Sequence, residues 1–307
     1  MSKPLIECVP NFSEGRNEDV IEAIVEPFKN MKGCHLLEHR ADRDHNRLVV
    51  SLVGQPNPVQ DALLQASVIA INRIDMEKHR GGHPRIGAID VIPFVPLQNI
   101  DMDACVKLAH KFGRRFYEKT GIPVYFYEQA ALRPDRSRLE VIRKGQYETL
   151  KTEISNPARH PDIGEAKLHH SAGATVIGAR KFLIAFNVNL KTADIHVAKE
   201  ISKVIRSSDG GLGHVKAIAV ALEDRGLTQV SMNIVDYEKN NLYRVLELIR
   251  MEAKRWGVHV GETEVYGMFP AAALLHSAAY YLQIADLDPK QVIELAILER
   301  IVQDGTG

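Results

Sequence analysis

Residues 215–237, Val-Lys-Ala-Ile-Ala-Val-Ala-Leu-Glu-Asp-Arg-Gly-Leu-Thr-Gln-Val-Ser-Met-Asn-Ile-Val-Asp-Tyr, read as two strands, 215–222 and 228–237. A hairpin-like turn, Glu223 to Leu227 with its glycine at Gly226, joins them. Working outward, residues 193–206 place Ile195, Val197, Ala198, Ile201 and Ile205 at helical spacing, and residues 180–190 before them form an apolar strand. A helix over 242–257 and a last strand over 258–266 follow. The order is β-α-β-β-α-β.

The first third of the chain repeats it. Residues 5–9 are a short apolar run closed by Pro10, and 17–30 carry Val20, Ile21, Ile24, Val25 and Phe28 on one helical face, with Asn17 as the cap. Strands at 35–39 and 48–53 frame a polar loop, 40–47; a helix over 57–74 and a strand over 86–95 complete the copy. Two split βαβ units predict an α+β protein of two ferredoxin-like subdomains, each with two helices on one face of an antiparallel sheet. The expected division is 1–178 and 179–307, with the boundary inside 172–178. Between the copies lie a helix over 102–120, a strand over 123–127 and a polar, proline-bearing segment, 132–164, whose Arg133-Pro-Asp-Arg-Ser-Arg138 run reads as a solvated loop. An alanine-rich helix through 284 and a terminal helix from Pro289 end the chain.

The 307 residues are 45% hydrophobic and 25% charged, with Lys plus Arg equal to Asp plus Glu at 39 each. That balance argues against nucleic acid or a membrane surface as partner. Cys8, Cys34 and Cys105 are widely spaced with no C-x-x-C pair, which points to a reduced, cytoplasmic setting and away from a disulfide framework. No apolar run is long enough to span a bilayer, and Met1 to Glu7 lack the apolar core of a signal peptide.

Chemistry concentrates in residues 77–96, Glu-Lys-His-Arg-Gly-Gly-His-Pro-Arg-Ile-Gly-Ala-Ile-Asp-Val-Ile-Pro-Phe-Val-Pro. His83 sits between two glycines, which permit unusual dihedrals, and Pro84, which restrains its neighbour. An imidazole held that way is a candidate general acid and base. Arg85 offers a fork for a substrate carboxylate, and Asp90 is positioned either to orient His83 or to cap nearby N–H groups. His79 and His83 have the spacing of a helical metal pair, but Gly81, Gly82 and Pro84 disfavour a helix there, so no metal is expected. Asp209-Gly-Gly-Leu-Gly-His214 follows a helix and precedes a strand, the reverse of a phosphate loop. The glycine-bounded Gly164, Glu165, Ala166, Lys167, Leu168, His169, His170, Ser171, Ala172 and Gly173 can set N–H groups against a flat ligand or serve as an interdomain linker. Asn187 and Asn189 share one strand face, available to carboxylates, to pterin edges or to solvent.

Three segments together resemble the glutamate formimidoyltransferase family: Cys8-Val-Pro-Asn-Phe-Ser-Glu-Gly15, Gly82-His-Pro-Arg-Ile-Gly-Ala-Ile-Asp90, and Gly173-Ala-Thr-Val-Ile-Gly-Ala-Arg-Lys-Phe-Leu-Ile-Ala-Phe-Asn187. The likeness covers essentially the whole chain and is to the stand-alone form, similar to the N-terminal part of formimidoyltransferase-cyclodeaminase. It implies two α/β subdomains with a substrate channel between them and a homodimer formed through the first. It also implies transfer of a formimino group from N-formimino-L-glutamate to N5 of tetrahydrofolate, a co-substrate expected in polyglutamylated form. His83 matches the family's catalytic histidine within an intact Gly-x-His-Pro-Arg-x-Gly-Ala-x-Asp pattern, and 164–173 matches its folate-binding stretch at the glycine ends and the serine. One departure is Arg40, which stands where the animal enzyme has an acidic residue; Asp42 or Asp44 is then the candidate carboxylate. N-formylglutamate and formiminoglycine are alternative donors, and a non-catalytic folate-binding protein is the alternative outside enzymes.

Overall fold

A polar turn and an unexpected parallel strand shape the first of two units into which the chain divides, residues 3–180 and the residues from 181 on. The structure is a computed structural model that describes residues 3–304, so the outermost residues of the two expected subdomains lie outside the described residues. The first unit contains β1 (Leu5–Cys8), β2 (Asn11–Phe12), α1 (Glu18–Asn30), β3 (Cys34–Asp42), β4 (Arg47–Gly54), α2 (Pro56–Arg73) and β5 (Ile89–Gln98). It continues through α3 (Met102–Thr120), β6 (Val124–Glu128), α4 (Leu139–Ile142), α5 (Gln146–Glu153) and β7 (Thr175–Ala179).

Local chemistry accounts for the helix ends. Asn17 accepts from the N–H groups of Asp19 and Val20 at the start of α1, where Glu18 and Asp19 also favour the helix dipole. Asp101 caps α3 by accepting from Ala104, and Gly121, at φ 69°, stops it.

The sheet of this unit runs β3, β4, then β1 and β2 in one lane, β5, β7 and β6. β1 and β2 both pair antiparallel with β4 and with β5. Counted along the repeat, its strands lie in the order fourth, first, third, second. α1 and α2 bury Ile21, Ile24, Phe28 and Leu63 with Ile6, Phe12, Leu48 and Leu52 on one face, joined by Phe112 and Phe116 of α3. On the other face Ile142 and Leu150, from α4 and α5, pack with Val91, Tyr125, Tyr127 and Val176.

The second unit holds β8 (Ile184–Leu190), α6 (Ile195–Ile205), β9 (Val215–Leu222), β10 (Leu227–Ile234), α7 (Leu242–Arg255), β11 (Val260–Tyr266), α8 (Ala271–Leu282) and α9 (Ile293–Asp304). Its sheet runs β11, β8, β10, β9, all antiparallel, which is the same fourth, first, third, second order. Val197, Ile201 and Ile205 of α6 and Val245 and Ile249 of α7 share a core with Ile184, Phe186, Val188 and Leu190.

Four expectations change. The 40–47 loop shrinks to the turn between Asp42 and Arg47, because β3 stays in register through Arg40, opposite Val49, and Asp42, opposite Arg47. Asp42 Oδ1 accepts from His45 N at 2.9 Å, and Asn46 takes a left-handed φ of 48°, which closes the turn tightly. Second, the chain divides after Arg180, because β7 pairs in parallel with both β5 and β6 and is fully buried in the first sheet. Third, residues 164–173 precede that strand within the first unit and are no interdomain linker. Fourth, Arg136 of the Arg133–Arg138 run is buried and ion-pairs with Asp162 at 2.7 Å, both side chains being at most 6% exposed.

Candidate active site

The segment between α2 and β5 carries His83 and is held from two sides. From the β3–β4 turn, Asp44 O accepts from Gly82 N and His45 O from His83 N, while Asn46 Nδ2 donates to Arg80 O. His79 places Nε2 3.0 Å from Asn46 O, and its Nδ1 accepts from Arg85 Nε, so both ring nitrogens are taken by the loop's own framework. From α5, Glu148 meets Arg85 through both carboxylate oxygens and Gln146 accepts from it as well. Gly81 and Gly82 do not use left-handed φ. Gly81 is needed for close approach instead: a Cβ there would lie 2.3 Å from His45 O.

Held this way, the His83 imidazole is 16% exposed and sits among charged groups. Arg47 Nη1, from the start of β4, lies 3.4 Å from Nδ1. Nε2 is buried without a hydrogen-bond partner, 3.9 Å from Asp90 Oδ2. Asp90 Oδ1 accepts from Ile86 N at 2.8 Å, and Oδ2 is bonded to Arg143 Nη2. Burial first, then the charges of Arg47 and Arg143, hold the His83 imidazole down at about 2, so it is neutral across the physiological range.

Residues 164–173 divide in two. Ala172 and Gly173 are buried and belong to the framework: Ala172 O accepts from Ala88 N, and Gly87 and Gly173 form an antiparallel bridge. Ser171 O accepts from Met76 N, and His169 Nδ1 accepts from Ala172 N at 3.1 Å. The preceding residues are open. Glu165, Lys167, Leu168, His169 and His170, with Tyr117 and Gly121 of the α3 end, line a cavity of about 230 Å³. Gly87 thus ties the histidine loop to the segment that borders this cavity.

Residues 5–180 match the family described as the formiminotransferase domain, N-terminal subdomain, and residues 185–303 match the formiminotransferase domain. The chain belongs to the formiminotransferase family. Glutamate formimidoyltransferase of Streptococcus pyogenes serotype M1 is 46% identical over 96% of this formiminotransferase chain and 99% of its own length. That of Thermoplasma acidophilum is 46% identical over 94% and 96%. Rat formimidoyltransferase-cyclodeaminase is 44% identical over 90% of the chain, which spans 52% of that longer protein. Among solved structures, an unknown protein from Galdieria sulphuraria overlays at a TM-score of 0.29 with 8% identity, covering 87% of this chain and all of that one, too slight a likeness to argue from.

Within this formiminotransferase, the remaining candidates separate by what already holds them. Arg85 is 4% exposed and spends its guanidinium on Glu148, Gln146 and His79, so it anchors the loop and is not open to a substrate carboxylate. Asp42 is engaged by His45 at its Nδ1, 2.8 Å away. Asp44 supplies its main-chain carbonyl to Gly82 while its side chain is exposed, and Arg40 is exposed on β3.

Asn187 belongs to the second unit and is buried, its Oδ1 accepting from Met232 N. Asn189 is 1% exposed, accepts from Gln229 and donates to Glu264, so this strand face is not a solvated one. Hydrogen bonds from Asn189 first, then Tyr266, Arg225 and Gln229, hold the Glu264 carboxyl down from 4.5 to about 2. Its contribution to stability is complete above pH 4.5 and is lost as pH falls towards 2. Replacing Glu264 by Gln is expected to flatten that part of the pH–stability curve. The flattening is on the order of 1–2 kcal/mol, reduced by solvent screening, and is read by urea titration at several pH values.

Arg47, Arg143, Asn46 and Glu148 escape a reading of the sequence. The only signal for Asn46 is its type, since asparagine tolerates the left-handed turn it occupies. Asn46 Oδ1 accepts from Gly15 N at 2.9 Å while Nδ2 serves Arg80 O, which joins the N-terminal motif to the histidine loop. Asn46→Ala is expected to cost about 2–3 kcal/mol, from two lost bonds and an unfavourable φ, measured by chemical denaturation.

Proposed function

We propose that the chain transfers the formimino group from N-formimino-L-glutamate to N5 of tetrahydrofolate, releasing L-glutamate and 5-formiminotetrahydrofolate in histidine degradation. One observation carries this reading. A fixed, neutral imidazole stands in a loop bridged through Gly87 and Gly173 to the segment that borders an open cavity. Names of relatives at 46% identity over nearly their whole length support the same reaction.

The chemistry needs little more than proton management. N5 attacks the formimino carbon, the C=N π pair moves onto its imino nitrogen, and a tetrahedral intermediate forms. N5 must then lose a proton, and the glutamate nitrogen must gain one as its bond to that carbon breaks. His83 serves both steps, base first and acid second. Glu165, Lys167, Leu168, His169 and His170 border the tetrahydrofolate: the Tyr117 and histidine rings suit a flat ring system, and Lys167 suits a glutamate carboxylate. The reading includes a polyglutamylated folate and two ferredoxin-like subdomains with the channel that the family resemblance implies. It also includes a cytoplasmic homodimer, whose compartment agrees with three buried, free cysteines.

The test mixes purified protein with N-formimino-L-glutamate and tetrahydrofolate and follows product by its acid conversion to methenyltetrahydrofolate absorbance. Turnover is expected. Turnover with N-formylglutamate or formiminoglycine in its place would replace the donor. Folate binding with no turnover of any donor would overturn the enzyme reading.

A further inference from the structure

We propose that Arg47 and Arg143 clamp the α-carboxylate of the amino-acid donor beside His83, and that Arg47 leaves the imidazole to do so. This rests on the transferase reading above.

The charge around His83 does not balance. Arg143 ion-pairs with Asp90, but Arg47 has no carboxylate within ion-pairing distance among the described residues, and its one side-chain hydrogen bond goes to a neutral ring. The Nε–H groups of both arginines are buried and unpartnered. Asp42, the carboxylate that next faces Arg47, is occupied by His45 through its main chain and its ring. Two guanidinium groups thus stand in a largely desolvated place where only Arg143 is ion-paired, with the Nε–H of each unpartnered. Buried polar groups without partners are rare, because each is costly to leave unmade. A planar carboxylate is the group that two such forks fit.

The location selects which carboxylate. Both substrates are anionic, but the donor's α-carboxylate is separated from the reacting nitrogen by a single carbon. The glutamate tail of a folate is remote from N5. A carboxylate held by Arg47, which touches His83, and Arg143, whose charge acts on the ring, must therefore be the donor's.

The contact between Arg47 and His83 gives this binding a second effect. Arginine has only donors, so Nδ1 must accept from it, and the ring proton then sits on Nε2. In that state neither nitrogen offers a free lone pair. A donor carboxylate that draws Arg47 away uncovers the Nδ1 lone pair. It also offsets the positive charge that disfavours the imidazolium; the other charged or titratable groups that face the ring are Asp90 of β5, Arg143 beyond α4, Asp42 at the end of β3 and His45 of the turn. Donor binding and base activation become one event.

The test titrates L-glutamate and 5-formyltetrahydrofolate by calorimetry into wild type, Arg47→Gln and Arg47→Lys, and measures KM for donor and for tetrahydrofolate. Arg47→Gln is expected to weaken L-glutamate at least about tenfold and raise donor KM alike, with folate affinity within about twofold and partial rescue by Lys. NMR of labelled histidine should show the His83 ring titrating at higher pH when L-glutamate is bound to wild type. Unchanged glutamate affinity and donor KM in a folded Arg47→Gln would overturn the clamp, and a loss confined to folate would assign these arginines to the folate tail. Glutamate binding lost in the variant, with no donor turned over by wild type, would keep the clamp and overturn the transferase reading instead.

Discussion

Replacing His83 by alanine is expected to lower turnover by about 10²–10⁴-fold, the range that general acid–base catalysis supplies, with little change in melting temperature. The structural side follows from how few contacts the ring makes. Its Nε2 is unpartnered, and its one hydrogen bond, at 3.4 Å, is long. The loop around it is fixed by Arg85, His79 and main-chain bonds to the 43–46 turn, none of which needs the imidazole. Far-UV circular dichroism and thermal melts should therefore overlay those of wild type. A folded variant that keeps turnover within about tenfold would remove His83 from the proton transfers and leave the group transfer to be explained by other residues.

The second large effect concerns stability. Gly87→Ala places a methyl group 2.0 Å from Ala174 O and 2.7 Å from Ala172 O. Both are main-chain atoms of the segment bridged to the histidine loop, so no side chain can turn aside to make room. Relief requires parting Ala88 N from Ala172 O or Ala174 N from Ile86 O, now 2.9 and 3.0 Å apart. Overpacking plus a buried main-chain bond left unmade predicts a loss of about 3 kcal/mol or more. The first unit should melt roughly 6–12 °C lower by calorimetry, with activity falling as the loop separates from residues 164–173. Gly82→Ala is the control: its Cβ would meet nothing nearer than 3.7 Å, so its melting temperature should stay close to that of wild type. Equal melting temperatures for the two variants would refute the steric account.

These two residues also mark how far a sequence speaks for itself. The boundaries of α3, from Met102 to Thr120, follow from an amphipathic run bounded by Asp101 and Gly121, and the Glu223–Leu227 turn follows from one glycine between alternating strands. Those signals are local, and so is the Gly-x-His-Pro-Arg loop. Arg47 and Arg143 are not local to it: from opposite sequence directions, through a hairpin and a short helix, one reaches His83 and the other its neighbour Asp90, and nothing in their neighbours announces the meeting. Arg85 misleads for the opposite reason. Its type suits a substrate anion, but Glu148, from a segment that reads as mere loop, claims it first. The parallel placement of β7 is hidden in the same way. A buried run looks alike whether it closes one sheet or opens another.

That strand has a consequence for how the molecule comes into being. As the chain leaves the ribosome, α1, α2 and the strands through β5 can assemble from contacts among their own residues. The loop that bears His83 cannot be finished then, because its partners at Glu148, Ala172, Gly173 and Ala174 are still to be made. Order in the histidine loop therefore arrives last in this unit, with the strand that slips between β5 and β6. A nascent chain stopped before Gln146 would hold a folded helix-backed sheet whose 81–88 loop lacks those partners and is open to protease, and synthesis through Ala179 would close it.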